Sequence, residues 1–207
     1  MINNNISFGK KIPITTCQVQ DKKTGKFIPA TFYEYDCRDE EDILELVFTG
    51  NKWYFVDCIV KNMSEKLKIN KMSKTDEKSD LKNHPIIKNN FDKRFFSLQL
   101  NDGKILGICQ ARNKNSSLDL DYIESQNCNH KYIGLNMLAS LGIKLLKEDK
   151  KNITIGLSTT EARSFYTYKC GFKTDDKGNL VLNKPHIKKL IRQTQRETHS
   201  KIINVNA

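Results

Sequence analysis

Apolar residues recur along this chain in two rhythms. IPITTCQVQ and KFIPATFYEYD are β-branched and aromatic runs on either side of the turn Asp21-Lys22-Lys23-Thr24-Gly25, which predicts a β-hairpin. Pro13 and Pro29 place these strands near a sheet edge. DEEDILELVF then shifts to helical spacing, with Ile43, Leu44, Val47 and Phe48 on one face and acids at the positive end of the dipole. Trp53 to Val60 is apolar throughout and fits a strand or a buried helix. Residues 61–83 hold seven Lys and four acids among Asn and Ser, with Met63, Leu67, Ile69, Met72 and Leu81 as the residues to bury. The expectation there is a polar, solvated connection over 61–92, part of it helical, and the alternative is an amphipathic helix lying on the domain.

From residue 93 the pattern sharpens. RFFSLQL, the turn Asn101-Asp102-Gly103 and KILGICQAR predict a tight hairpin. In SLDLDYIES, Leu118, Leu120 and Tyr122 alternate with Asp119 and Asp121, as in a strand with one buried face. A polar segment leads into GLNMLASLGIKLLKED, whose Leu135, Leu138, Leu141, Leu145 and Leu146 recur at helical spacing. NITIGLST reads as a buried strand and TTEARSFYTYKC as a helix with a Thr cap. GFKTD and NLVL close a hairpin, and Pro185 opens a last, basic helix followed by a tail over residues 184–207. The order over 93–183 is therefore β-β-β-α-β-α-β-β. Residues 1–60 are expected to belong to the same domain.

Composition narrows the function classes. With 207 residues and 38% hydrophobic content the chain supports one sizeable core. Its longest apolar runs fall short of the roughly 20 residues of a membrane-spanning helix, so a soluble protein is expected. MINNNISFGKKIPITT has no apolar stretch of secretory type, which points to a cytoplasmic protein while leaving specialised export open. The formal charge of +11 favours acidic partners. Yet 29 of the 35 cations are Lys and Asn reaches 20, so compositional drift explains part of that excess. Cys17, Cys37, Cys58, Cys109, Cys128 and Cys170 form no C-x-x-C pair and several sit in apolar runs, so reduced thiols and no metal site are expected. His84, His186 and His199 read as solvated.

The junction between SLDLDYIES and the long apolar helix is where chemistry is best placed. Unpaired N–H groups at a helix start attract phosphate, His130 and Lys131 stand there, and Gly134 permits close backbone approach. Lys131-Tyr132-Ile133-Gly134-Leu135-Asn136 is similar to the pyrophosphate loop of the GCN5-related N-acetyltransferases (GNAT), with Lys for Gln or Arg and Asn136 where Gly or Ala is usual. Ala162-Arg163-Ser164-Phe165-Tyr166-Thr167-Tyr168-Lys169-Cys170-Gly171-Phe172 resembles a later helix of that family. Four residues separate Tyr166 from Gly171 where the family has three. The resemblance covers about residues 93–183.

That resemblance implies an α/β (α+β) fold. Its central sheet would be mixed but mostly antiparallel, flanked by helices and splayed between strands 117–125 and 153–158. The hairpin would be an N-terminal extension. It implies acetyl transfer from acetyl-CoA, without metal, to an amine of a protein or another macromolecular acceptor such as an aminoacyl-tRNA. Lys131, Tyr132, Ile133, Gly134, Leu135 and Asn136 would hold the cofactor. A backbone N–H near Ile123 to Ser125 would polarise the thioester, Tyr166 or else Tyr168 would protonate the thiolate, and Glu124, followed by Asp121, would take the amine proton. A fold-retaining protein without catalysis and a nucleic-acid-binding module are the alternatives; Lys131, Asn136, the tyrosine spacing and the basic tail motivate the first.

Overall fold

The computed structural model describes residues 11–37, 40–47, 55–72, 92–126, 129–156, 158–199 and 203–204. The strands are β1 (Lys11–Asp21), β2 (Phe27–Tyr35), β3 (Lys93–Leu100), β4 (Ile105–Asn113), β5 (Ser117–Ser125), β6 (His130–Lys131), β7 (Asn152–Ile155), β8 (Lys173–Thr174), β9 (Leu180–Asn183) and β10 (Ile203–Asn204). The helices are α1 (Glu41–Val47), α2 (Val56–Met72), α3 (Ile133–Lys147), α4 (Thr160–Ser164), which runs on into a wider turn at Phe165–Lys169, and α5 (Lys184–Glu197). All strands join one sheet in the order β10-β1-β2-β3-β4-β5-β7-β9-β8, with β6 also on β1. Every pairing is antiparallel except β5 with β7. The mixed, mostly antiparallel sheet expected from the sequence is thus present, and the hairpin is part of it.

Local chemistry explains most boundaries. The Asp21 carboxylate accepts from the N–H groups of Lys23 and Thr24, closing the first hairpin. Gly103, at φ +86°, makes the β3–β4 turn. Thr159 caps α4 by accepting from Ala162 N–H, and Asn183 caps α5 by accepting from His186 N–H.

Two cores cover the two faces. The larger lies under α3 and α5 and includes Phe32, Phe96, Leu98, Leu118, Leu120, Leu138, Leu141, Leu182 and Ile187. The smaller lies under α1 and α2 and includes Tyr35, Leu46, Ile59, Met63, Phe95 and Ile108.

Several expectations need correction. Residues 56–72 are a helix that buries Ile59, Met63, Leu67 and Ile69, so the solvated connection gives way to the amphipathic alternative there. Residues 73–91, His84 among them, lie outside the described residues. In α1 the buried positions are Leu46 and in part Ile43, whereas Leu44 is exposed; Phe48 falls outside the described residues. β2 is an interior strand. Its ladder with β3 starts at Ala30, one residue past Pro29, so the missing proline N–H costs no bond on that side. Pro13 borders an irregularity in the β1–β2 register.

Tyr122 departs from the expected alternation. The β4–β5 register shifts between Gln110↔Tyr122 and Ala111↔Leu120, which leaves Asp121 as the extra residue of a β-bulge. Leu118, Leu120 and Ile123 pack with the α3 core, while Tyr122 packs with the α2 core, its ring tilted against Phe55 with centroids 4.8 Å apart. One inserted residue has moved the aromatic ring to the opposite face.

Candidate active site

Strands β5 and β7 run together from Ser117↔Asn152 to Leu120↔Ile155 and then part. β5 continues against β4 to Ser125↔Gly107, so residues 121–125 have left the β7 ladder while one side of the strand remains held. On its β7 side β5 is thus without a ladder partner among the described residues from residue 121 on. Next to the gap the chain reaches β6, which pairs with β1 at Gln20↔Lys131 and Asp21↔His130. Tyr132, at φ 68° and ψ 12°, then turns the backbone into α3. A left-handed conformation at a non-glycine residue costs about 1–2 kcal/mol. Stacking of the Tyr132 ring on Phe27, with centroids 6.4 Å apart, helps to hold it.

The first bond within α3 runs from Asn136 N–H to the Tyr132 carbonyl. The N–H groups of Ile133, Gly134 and Leu135 precede it and have no partner within the helix. They border a cleft of about 660 Å³ whose lining includes Lys22, His130, Lys131 and Lys169. Three lysines around a helix N-terminus make a setting for a polyanion. A Cβ built on Gly134 meets only the Phe165 ring, at 3.5 Å, so Phe165 is the neighbour that approaches this turn. Asn136 does not crowd the mouth. It is fully buried, and its Nδ2 donates to the Gln18 carbonyl at 2.8 Å.

Gly107 sets how closely α3 sits on the sheet. A Cβ there would collide with the Met137 sulfur, lie 3.0 Å from Ile133 Cγ2 and lie 3.3 Å from the Glu124 carbonyl oxygen. Gly107→Ala should therefore cost about 1–3 kcal/mol, because the last two neighbours cannot withdraw freely. A denaturant midpoint unchanged from wild type would contradict this reading.

The two tyrosines separate sharply. Tyr166 is 7% exposed and packs edge-on against Phe165 and Phe172, with centroids 5.5 and 5.6 Å away. Tyr168 is 90% exposed, and neither tyrosine is among the side chains that line the cleft, where Phe165 is the neighbour that reaches it. The one-residue excess before Gly171 is taken up by the wide turn, in which Cys170 N–H donates to Phe165 O, five residues back. That turn keeps Tyr166 and Cys170 both inward. Burial pushes the Tyr166 phenol up to about 12, helped by the neighbouring Cys170 and Cys109. The phenol is therefore a proton or hydrogen-bond donor at neutral pH.

Glu124 lies on the α2 side. Its Oε2 accepts from Phe55 N–H at 2.9 Å. Asp121 is occupied elsewhere, by Arg112 Nε at 2.8 Å and Gln110 Nε2 at 3.0 Å. Ser125 lines the cleft, and Ile123 packs on the larger core beside it. The structure thus gathers 125 and 131–135 at one mouth and sets Glu124 across the sheet from it. Lys22, Gln126, Phe165 and Lys169 also line this cleft and escaped sequence reasoning. Lys22 is over 100 residues from the loop and arrives through the β1–β6 pairing, where its N–H donates to Asn129 O. Among the described residues no group of three or more His, Cys, Asp or Glu could hold a metal ion, and no helix is long and apolar enough to cross a membrane.

The chain matches no family model and no curated protein in sequence. Solved structures do share its shape. An uncharacterized protein from Bacillus halodurans aligns over 90% of this chain and 100% of its own, at 12% identity and a TM-score of 0.50. A GNAT-family acetyltransferase from Staphylococcus aureus covers 75% of this chain and 99% of its own, at 18% identity and a TM-score of 0.45. PaiA N-acetyltransferase from Thermoplasma acidophilum, in complex with coenzyme A, covers 72% and 96%, at 16% identity and a TM-score of 0.44. The likeness is one of fold.

Proposed function

We propose that this protein is an acyl-CoA-dependent N-acetyltransferase acting on an amine of a protein or another macromolecule. The observation that carries the proposal is the end of the β5–β7 ladder at Leu120 and Ile155, beside a helix start whose first three N–H groups have no partner among the described residues and lie among lysines. An extended thioester arm fits along the freed edge of residues 121–125, and its diphosphate fits on Ile133, Gly134 and Leu135 with Lys131 at hand, Lys169 being paired with Glu197. The donor would enter from the α3 side and the amine from the α2 side, where Glu124 lies.

In the reaction the amine nitrogen attacks the thioester carbon. A backbone N–H in the stretch Ile123–Ser125 stabilises charge on the carbonyl oxygen, the C–S bond breaks and CoA leaves as a thiolate. Glu124 takes the amine proton, through water, because one carboxylate oxygen is engaged by Phe55. Tyr166 donates to the departing sulfur. Full transfer from a phenol near 12 to a thiolate of ordinary pKa, about 8.5, would be uphill by roughly 5 kcal/mol. A hydrogen bond that strengthens as the sulfur gains charge is the cheaper role. The cytoplasm suits a chain that keeps Cys17, Cys37, Cys109 and Cys170 as buried thiols.

Calorimetric titration with acetyl-CoA tests this proposal. Saturable binding is expected in the wild type. Gly134→Asp, which sets a carboxylate beside the diphosphate position, should weaken it at least ~10-fold, by about 1.4 kcal/mol or more. No heat at millimolar acetyl-CoA would defeat the proposal. The deep burial of Tyr166 favours a second reading, a binding protein that holds acetyl-CoA without turnover. Binding without CoA release on any amine acceptor would select it.

A further inference from the structure

We propose that the outer face of α5 is a docking surface for the phosphate backbone of a nucleic acid. Lys188, Lys189, Arg192 and Arg196 are all exposed. With Pro185 and Gln195 they line an open recess of about 760 Å³. Lys188, Arg192 and Arg196 follow at four-residue intervals, so the row runs about 12 Å along the helix. One strand of a duplex advances about 3.4 Å per phosphate, so the row spans on the order of four phosphates. Glu197, the helix's one acid, is turned away, because its carboxylate binds Lys169 at 2.8 Å and Gln193 at 2.9 Å. The cationic face therefore has no internal counter-charge along α5.

Two competing occupants fit less well. An interfacial membrane helix presents its apolar stripe to lipid, but Ile187, Leu190 and Thr194 are buried on the body of the protein. A protein partner needs apolar or aromatic anchors at the centre of its interface. This recess offers Pro185 alone. What it does offer is four point and planar cations and one amide, the groups that read phosphates. His199, just past α5, packs at 5.2 Å on Phe27, whose other neighbour is Tyr132 at the mouth. The binding stands independently of acyl transfer.

The test is fluorescence anisotropy of the full chain with short RNA and DNA duplexes of one sequence, across about 50 to 200 mM salt. Affinity should fall on the order of 10²-fold over that range, as roughly four released counterions require. The variant K188A/K189A/R192A/R196A should bind at least ~10-fold more weakly and lose most of the salt slope, and Arg192→Glu alone should weaken binding. Lys177→Ala, in the β8–β9 turn, should change nothing. Binding by RNA alone, or by DNA alone, supports the proposal and identifies the source of the phosphates. Absence of binding to both at about 50 mM salt overturns it, as does affinity unchanged in the quadruple variant. Equal or tighter binding of a glutamate-rich peptide or of phosphatidylserine vesicles also overturns it.

Discussion

Replacing Arg94 by alanine should destabilise the fold by about 3 kcal/mol, the largest stability loss expected from any single charge among the described residues. Arg94 reaches from β3 to Glu34 on β2, with Nε at 2.6 Å and Nη2 at 2.9 Å, and to Glu148 just past α3, with Nη1 at 2.7 Å and Nη2 at 2.9 Å. Lys144 adds a contact of 3.0 Å to Glu34. The Arg94 side chain is only 11% exposed and lies over the Phe96 ring, so its removal leaves two carboxylates with Lys144 as their remaining cation where water is scarce. For a chain of this size the loss corresponds to roughly 10 °C in Tm. Thermal unfolding of the purified variant checks it, and a shift under about 2 °C would show that the network contributes little.

The pH dependence follows with a definite sign. Burial alone would raise the Glu34 carboxyl, but the pair with Arg94 and the charge of Lys144 outweigh it and hold the net pKa below the ordinary value. Glu148 behaves alike, with burial opposed by the same two cations. A depressed carboxylate contributes its stability above the ordinary pKa, near 4.3, and loses it as pH falls through the folded value. The gap between wild type and Arg94→Ala should thus be full at neutral pH and narrow below about pH 4.

Tyr166→Phe should lower the rate of CoA release from acetyl-CoA, with a peptide amine as acceptor, by about 10²-fold at unchanged KM for acetyl-CoA. The ring packing against Phe172 and Phe165 survives this change, so stability should hardly move. Tyr168→Phe, at a side chain 90% exposed, should stay within about twofold. Equal rates for wild type and Tyr166→Phe would remove the phenol from the mechanism.

Much of the architecture was legible because it is written locally. The hairpins carry their turns in Asp21–Gly25 and Asn101–Gly103, and α3 carries its leucines at helical spacing. What escaped depends on long-range geometry. Arg94 meets Glu34 and Glu148 across 60 and 54 residues, and no spacing rule pairs them. The face of Tyr122 turned on one bulged residue, Asp121, which alternation cannot show. Lys-rich composition masked α2, whose four buried side chains sit among exposed and half-exposed polar ones. For the candidate site, the phosphate-type loop and the tyrosine helix were readable in sequence. That Tyr166 turns inward and Tyr168 outward depends on the wide turn after Ser164, which spacing does not show.

That turn has a bearing on how such chains can change length. In a regular α-helix an added residue rotates everything after it by about 100°, which would swing Cys170 and Phe172 out of the core. Here the surplus is absorbed within Phe165–Lys169, and both side chains remain inside. The segment acts as an expansion joint, holding Tyr166 and Phe172 inward on either side of the four residues between Tyr166 and Gly171.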